Sequence, residues 1–205
     1  MALEGTHIRL AIDLKGKYKV QDLEKYIVGT IYPDSRYITG IDRELTHNNN
    51  LIKLEFAKDD FRKGWQLHLI CDNLQNELRR KLLPELSSES REEDFIFASA
   101  MKTVQDMNDI KQFYLQKYLK FLDYVYNPNG EELRKIKEYH KIILNLYRGK
   151  KETSVEDNYN MWRGLGVEKY KCQRIKQKTE EVLKNQELVK RIHFIYREMI
   201  KALLK

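Results

Sequence analysis

Apolar residues recur at three- and four-residue steps through most of the chain. Over 58–83 they fall at Phe61, Trp65, Leu67, Leu69, Leu74, Leu78 and Leu82, which predicts one long helix with a broad buried face, ended by Pro84. The same spacing runs over 92–126 through Phe95, Ala98, Met101, Met107, Ile110, Phe113, Tyr118, Phe121 and Val125, with a break expected near Asn108 and Asp109. Asn127-Pro128-Asn129-Gly130 closes that segment. Further helices are expected over 131–148, from Ser154 or Asp157 to Lys184 with an interruption at Gly164 and Gly166, and over 187–204. Nearer the start, 22–31 reads as a short helix and 8–14 as a second short apolar element. Sustained alternation is absent, so the expected class is all-α, a single-domain multi-helix bundle.

The stretch 33–50, PDSRYITGIDRELTHNNN, breaks this pattern. Its turn-forming residues and weak apolar periodicity predict a loop of nearly twenty residues. Loops of that length in a compact domain are usually functional or disordered, and this one carries Asp34 near its start and His47 near its end.

With 205 residues the chain can bury a core without covalent staples. One domain over 1–205 is expected, divided into a half rich in candidate chemistry, 1–90, and a periodic helical half, 91–205. Cys71 and Cys172 are too few and too distant for a disulfide framework or a Cys-rich metal site. The balance of 38 Lys and Arg against 31 Asp and Glu leaves +7, yet acids and bases interleave in runs such as Glu77-Leu78-Arg79-Arg80-Lys81. That is a helix-surface pattern, and no GxGxxG, GxxxxGK[ST] or Cys/His finger spacing accompanies it, so no stable nucleic-acid partner is expected. Without a secretory leader or an apolar stretch of eighteen residues, no transmembrane segment is expected, and the location expected is cytoplasmic. Composition leaves the oligomeric state open.

The histidines change the picture. Three of the five, His7, His47 and His68, lie in the first third of the chain with Asp34 and Asp72. His68 and Asp72 form an HxxxD pair, which on a helix shares one face and can converge on one ion. An isolated HxxxD pair is equally compatible with a helix-surface hydrogen bond or a satisfied core histidine. Here the flanking Trp65, Leu67, Leu69 and Ile70 are apolar, so the pair is expected to be partly buried and in need of partners.

The words HIRLAID, DLEKYIVGTIYPD, LTH and HLICD, read in that order, resemble the zinc-dependent phospholipase C family, whose all-helical fold is shared with the S1/P1 nucleases. The resemblance covers about residues 7–72. It implies that Asp34, His47, His68 and Asp72 surround one metal ion, and that His7 holds a second with Asp72 as a bridge. The implied cofactor is one or two divalent ions, zinc first, with manganese or iron open because no thiolate selects zinc. The chain departs from the secreted phospholipases after Asp72: Leu144 stands four residues beyond His140 and Arg197 four beyond His193, so a second HxxxE pair is missing. The HD phosphohydrolases, another all-α metal class, are less similar, since none of the histidines is followed by an aspartate.

The function expected on this reading is metal-dependent hydrolysis of a phosphoester, with metal-activated water as nucleophile and a small phosphorylated molecule or a phospholipid head group as substrate. Arg36, Arg43 and Lys63 are the basic residues expected to meet the phosphate, and Tyr32, Tyr37 and Trp65 those expected to line a pocket, although Trp65 equally suits core packing. The general acid stays unassigned among Asp42, Glu44, Asp59 and Asp60, the nearest carboxylates in sequence. The alternatives are a metal-binding helical protein without catalysis and a helical interaction module whose histidines never converge.

Overall fold

The computed structural model describes residues 3–53 and 59–204, and among these every regular element is helical, with no strand. In chain order they are α1 (Glu4–Leu14), α2 (Leu23–Ile31), a 3₁₀ turn (Tyr32–Ser35), α3 (Arg36–Thr39), α4 (Arg43–His47) and a second 3₁₀ turn (Asn49–Lys53). Then follow α5 (Asp60–Leu82), a turn (Pro84–Leu86), α6 (Arg91–Asp109), α7 (Gln116–Leu119), a turn (Lys120–Asp123), α8 (Leu133–Tyr147), α9 (Val155–Gly164), α10 (Lys169–Lys184) and α11 (Gln186–Leu204). The helices form a multi-helix bundle.

The boundaries follow local chemistry. Asp22 caps α2 by accepting from Lys25 N–H, and Asp59 caps α5 by accepting from Phe61 and Arg62 N–H. Lys58, the expected first residue of α5, lies outside the described residues. Ser154 and Asp157 form a reciprocal capping box, which fixes the start of α9 at the serine's far side. Gly166, at φ +81°, then separates α9 from α10, so the Gly164 and Gly166 interruption is a full break between two helices. The expected break near Asn108 and Asp109 ends α6, and short turns replace a continued helix up to residue 126. The segment 33–50 departs from expectation: it is a chain of short helical pieces in place of an irregular loop. Each piece is one or two turns, too short for apolar periodicity to register.

The closest pairing in the fold is α2 along α5. Two glycines make it possible, since a Cβ on Gly29 would collide with the Phe61 carbonyl and one on Gly64 with the Tyr26 carbonyl. This contact brings the backbone of Thr30 beside His68.

Helix α1 runs between two apolar clusters. Ile8 packs with Ile31, Tyr139, Ile143, Trp162 and Ile175, whereas Leu10 and Leu14 pack with Leu67, Cys71, Ile192, Ile195 and Met199. A third, smaller cluster gathers Val28, Tyr32, Phe61, Trp65 and Leu69. Polar bonds fix α1 further. Thr6 N–H donates to Asp106 Oδ1 at 2.8 Å and Thr6 Oγ1 to Asp109 Oδ2 at 2.9 Å, while Arg9 pairs with Asp109 Oδ1 at 2.8 Å. From α8, Tyr147 OH donates to Asp106 Oδ2 at 2.8 Å and accepts from Gly5 N–H at 3.0 Å, and Tyr139 OH donates to Glu4 Oε1 at 2.7 Å. Side chains from the first and the second half of the sequence therefore share both apolar clusters and this polar network. No described helix is long and apolar enough to cross a membrane.

Candidate metal centre

Four elements bring the five sequence-expected residues together. His7 comes from α1, Asp34 from the turn after α2, His47 from the last turn of α4, and His68 and Asp72 from successive turns of α5. Two overlapping groups result, His7 with His68 and Asp72, and Asp34 with His47 and His68, each with its donor atoms within 4.8 Å of one another. His7 and His68 are fully buried, and Asp34 and Asp72 are 3% and 5% exposed, so water does not solvate these groups freely.

The histidine tautomers follow from hydrogen bonding. His68 Nδ1 lies 2.8 Å from the Thr30 carbonyl, which can only accept, so Nδ1 carries the proton and Nε2 the lone pair. Thr46 Oγ1 donates to the Arg43 carbonyl at 3.3 Å and is thereby left to accept from His47 Nδ1 at 2.9 Å. With the ring neutral, His47 Nε2 is then also a lone-pair nitrogen. The two Nε2 atoms face each other at 3.3 Å. Two lone pairs at that distance repel unless a cation lies between them, and the edge of a tetrahedron with metal–nitrogen bonds of about 2.0–2.1 Å is about 3.3–3.4 Å.

The carboxylates close around this pair. Asp34 Oδ1 is 3.4 Å from His47 Nε2 and 3.9 Å from His68 Nε2. Asp72 Oδ2 is 3.6 Å from His68 Nε2 and 3.9 Å from His47 Nε2, while its Oδ1 is 3.6 Å from His7 Nε2. Asp72 thus turns one oxygen toward each group. His7 stacks on His68 with ring centroids 4.0 Å apart. Asp34 Oδ1 and both ring nitrogens of His7 are buried without a hydrogen-bond partner among the described residues. Buried polar atoms without donors or acceptors are costly, and neutral imidazoles with ionised carboxylates are the donor set of a divalent ion. Both groups are geometrically suited to such an ion.

The electrostatics agree. Burial and the neighbouring His7 push His68 down to about 3, leaving it neutral. Burial raises Asp34, but His68 and His47 more than reverse that, so its carboxyl falls below the ordinary carboxylate range. Asp72 falls well below that range, the effect of burial being overcome by neighbours that include His68 and His7.

A cavity of about 380 Å³ opens on the cluster, lined by Arg43, His47, Asn48, Asp72, Asn73 and Asn76, together with Glu44 and Leu69. His47 and Asp72 are the cluster residues that face it. Of the expected phosphate-binding residues, Arg43 lines this cavity. The Arg36 guanidinium instead lies over the Tyr37 ring, 4.3 Å from its centroid. Lys63 is turned to Asp60 at 2.6 Å and to the Lys19 carbonyl, on the first turn of α5. Tyr32 and Trp65 pack inside the third apolar cluster, where Trp65 Nε1 donates to the Thr46 carbonyl at 2.8 Å, and Tyr37 borders a different cavity beside Arg91 and Phe95. Asp42, Asp59 and Asp60 accept backbone N–H groups, which leaves Glu44 as the one acid of the four that reaches the cavity.

His140 and His193 lie apart, His140 donating from Nδ1 to the Leu122 carbonyl at 2.7 Å. Sequence reasoning missed the residues that orient the ligands. Thr30 acts through its carbonyl, which no side-chain pattern reveals, but Thr46 directly precedes His47; Asn73 and Asn76, also missed, line the cavity. No family model, no curated protein and no solved structure matches the chain.

Proposed function

We propose that the chain is a metal-dependent phosphoester hydrolase, with Asp34, His47, His68 and Asp72 holding one divalent ion and His7, with Asp72 as bridge, a second. The observation that carries this reading is the pair of Nε2 lone pairs facing each other at 3.3 Å beside two buried carboxylates, at the floor of an open cavity. The order of the five residues along the chain, like that of the zinc-dependent phospholipase C and P1 nuclease proteins, supports the same class and favours zinc.

An ion bound there lowers the pKa of a water and polarises a phosphoryl oxygen. The protein's own groups do the rest. Thr30 and Thr46 fix the two imidazoles so that their lone pairs need no reorientation. Arg43, four residues before His47 on α4, presents its guanidinium on the same side and takes the phosphate oxygens that the cluster does not. Glu44 is the acid in reach of the leaving oxygen and supplies its proton.

Metal content and turnover measured together test the reading. Protein purified without added metal is expected to carry at least one transition ion per chain and to hydrolyse p-nitrophenyl phosphate or its bis ester with zinc or manganese. His68→Ala is expected to lose the ion and at least about 100-fold in turnover. A chain without bound ion, or full turnover in His68→Ala, overturns it.

A further inference from the structure

We propose that Trp65 is a positioning residue of the candidate metal centre, holding His47 and Asp34 in register with His68 and Asp72; the proposal rests on the metal-binding part of the reading above and not on the reaction.

Trp65 stands one turn before His68 and two before Asp72 on α5, so the three share one face of that helix. Its side chain reaches two further segments that carry candidate ligands. The indole Nε1–H donates to the Thr46 carbonyl at 2.8 Å, at the residue next to His47. The indole ring meets Tyr32 edge-on with centroids 4.9 Å apart, and Tyr32 lies two residues before Asp34 in the same 3₁₀ turn. A single buried side chain therefore contacts the chain beside Asp34 and beside His47, while its own helix carries His68 and Asp72.

The bond to Thr46 replaces one that the helix gives up. Helix α4 ends at His47, where Asn48 turns to φ −70° and ψ 125°. Asn50 N–H, which would meet the Thr46 carbonyl if the helix continued, bonds to Asn48 Oδ1 at 2.8 Å. Thr46 is fully buried, so its carbonyl needs a donor from elsewhere in the fold, and the indole supplies it. One residue further along α5, Gln66 Nε2 donates to the Leu51 carbonyl at 3.3 Å. The stretch around His47 is thus braced from α5 on both sides.

Packing fixes the indole itself. Phe61 adds a second edge-on contact at 6.4 Å, and Tyr32 is anchored in turn by hydrogen bonds with Glu131 and Asn129. From the indole the contacts run through the Thr46 carbonyl and the 2.9 Å bond between Thr46 Oγ1 and His47 Nδ1 to the Nε2 atom that faces His68 at 3.3 Å. Groups that share one ion must be held to within about 0.5 Å, by residues whose own conformations are locked. Trp65 meets that requirement for His47 through a hydrogen bond and for Asp34 through a ring contact.

Trp65→Phe keeps an aromatic ring in the apolar cluster and removes the N–H. In competition with a chelator, the variant is expected to bind zinc about 10–100-fold more weakly than the parent chain. Phe61→Leu is the control, because Phe61 shares the cluster and the contact with Tyr32 but has no side-chain donor for Thr46. It is expected to lower Tm by a comparable amount and to bind zinc as the parent does. Hydrogen exchange reads the same link from the other side, since coupling between the ion and the segment is reciprocal. Stripping the ion is expected to speed exchange of the Trp65 indole N–H at least about tenfold, with no matching change at Trp162, which packs in the cluster of Ile8.

Parent-like zinc affinity in Trp65→Phe, equal losses of affinity in Trp65→Phe and Phe61→Leu, or indole exchange indifferent to zinc overturns the positioning role and leaves the hydrolase reading standing. If Trp65→Phe alone weakens zinc binding while the zinc-loaded parent hydrolyses no phosphoester, the positioning role is upheld and the hydrolase reading falls. A parent chain that binds no ion overturns both.

Discussion

Helix α1 contributes to two buried acidic groups, and they are built on opposite plans. In one, His7 joins Asp34, His47, His68 and Asp72, and the atoms that meet are lone pairs and carboxylate oxygens. In the other, Glu4, Thr6 and Arg9 meet Asp106, Asp109, Tyr139 and Tyr147, and each carboxylate receives donors: backbone N–H, tyrosine and threonine hydroxyls, one guanidinium. The titration behaviour divides the same way. Burial raises Asp106 to about 7 and Asp109 to about 6, the latter against the pull of Arg9, while burial and Asp34 raise Glu4 to about 8. Asp34 and Asp72 move down. A buried carboxylate bonded to fixed hydroxyl and N–H donors holds helices together; one set among imidazole nitrogens is arranged for a cation.

The comparison can be broken at either member. The largest effect is expected from chelation. An ion at about 100 times its Kd contributes about 2.7 kcal/mol, and each kcal/mol is worth about 2–4 °C in a chain of this size. Calorimetry should therefore show Tm falling by roughly 5–10 °C on stripping, with no such shift in His68→Ala. An unchanged Tm would make the first group another structural network.

Asp106→Ala is the matching cut in the second group. It removes the acceptor of Thr6 N–H and Tyr147 OH in a dry setting and should cost about 2–4 kcal/mol in urea unfolding. Added zinc should recover none of this. Recovery by metal would merge the two groups into one.

Thr46→Val sharpens the contrast more gently. It deletes the hydroxyl that orients His47 and should weaken zinc binding about 10–100-fold in competition with a chelator, leaving helix content unchanged.

The smallest effect expected is on pH dependence. Asp106 and Asp109 bind protons more tightly in the folded than in the unfolded chain, so the stability they contribute is complete below about pH 4 and is lost as pH rises through about 6 to 7. Between pH 5 and pH 8 the parent chain should lose at least about 1 kcal/mol more than the Asp106→Asn, Asp109→Asn double variant, in which Glu4 still contributes a slope of the same sign. Equal slopes in the parent and the double variant would assign the dependence to other groups.

The two groups were also unequally visible in the sequence. The candidate ligand set could be read because HxxxD is a local pattern and because the order of His7, Asp34, His47, His68 and Asp72 resembles that of the zinc-dependent phospholipase C family. The helices could be read wherever the apolar period ran for several turns, as in α5, α6 and α8. The pieces between Tyr32 and Lys53 could not, since each is shorter than the window in which periodicity is measured. Nor could the second acidic group. Glu4, Asp106 and Tyr147 are far apart in sequence, and Asp106 sits in a helix whose acids look like surface charges until α1 and α8 cover it. The same limit hid which basic residues reach the cavity, because Lys63 and Arg43 are equally basic on paper and only the fold turns one to Asp60 and the other to the cavity.

The hydrogen bonds that hold α1 from α8, Gly5 to Tyr147 and Tyr139 to Glu4, bear on the order in which the molecule is completed during synthesis. All five candidate ligand residues are made by residue 72, yet the helix that carries His7 gains these restraints only once Tyr139 and Tyr147 have been added. At a translation rate of about 5–20 residues per second, several seconds separate completion of the five candidate residues from completion of the helix that restrains His7. Assembly of the candidate metal centre therefore waits on α8: a chain made only to residue 72 holds all five residues without the restraints that fix the helix of His7.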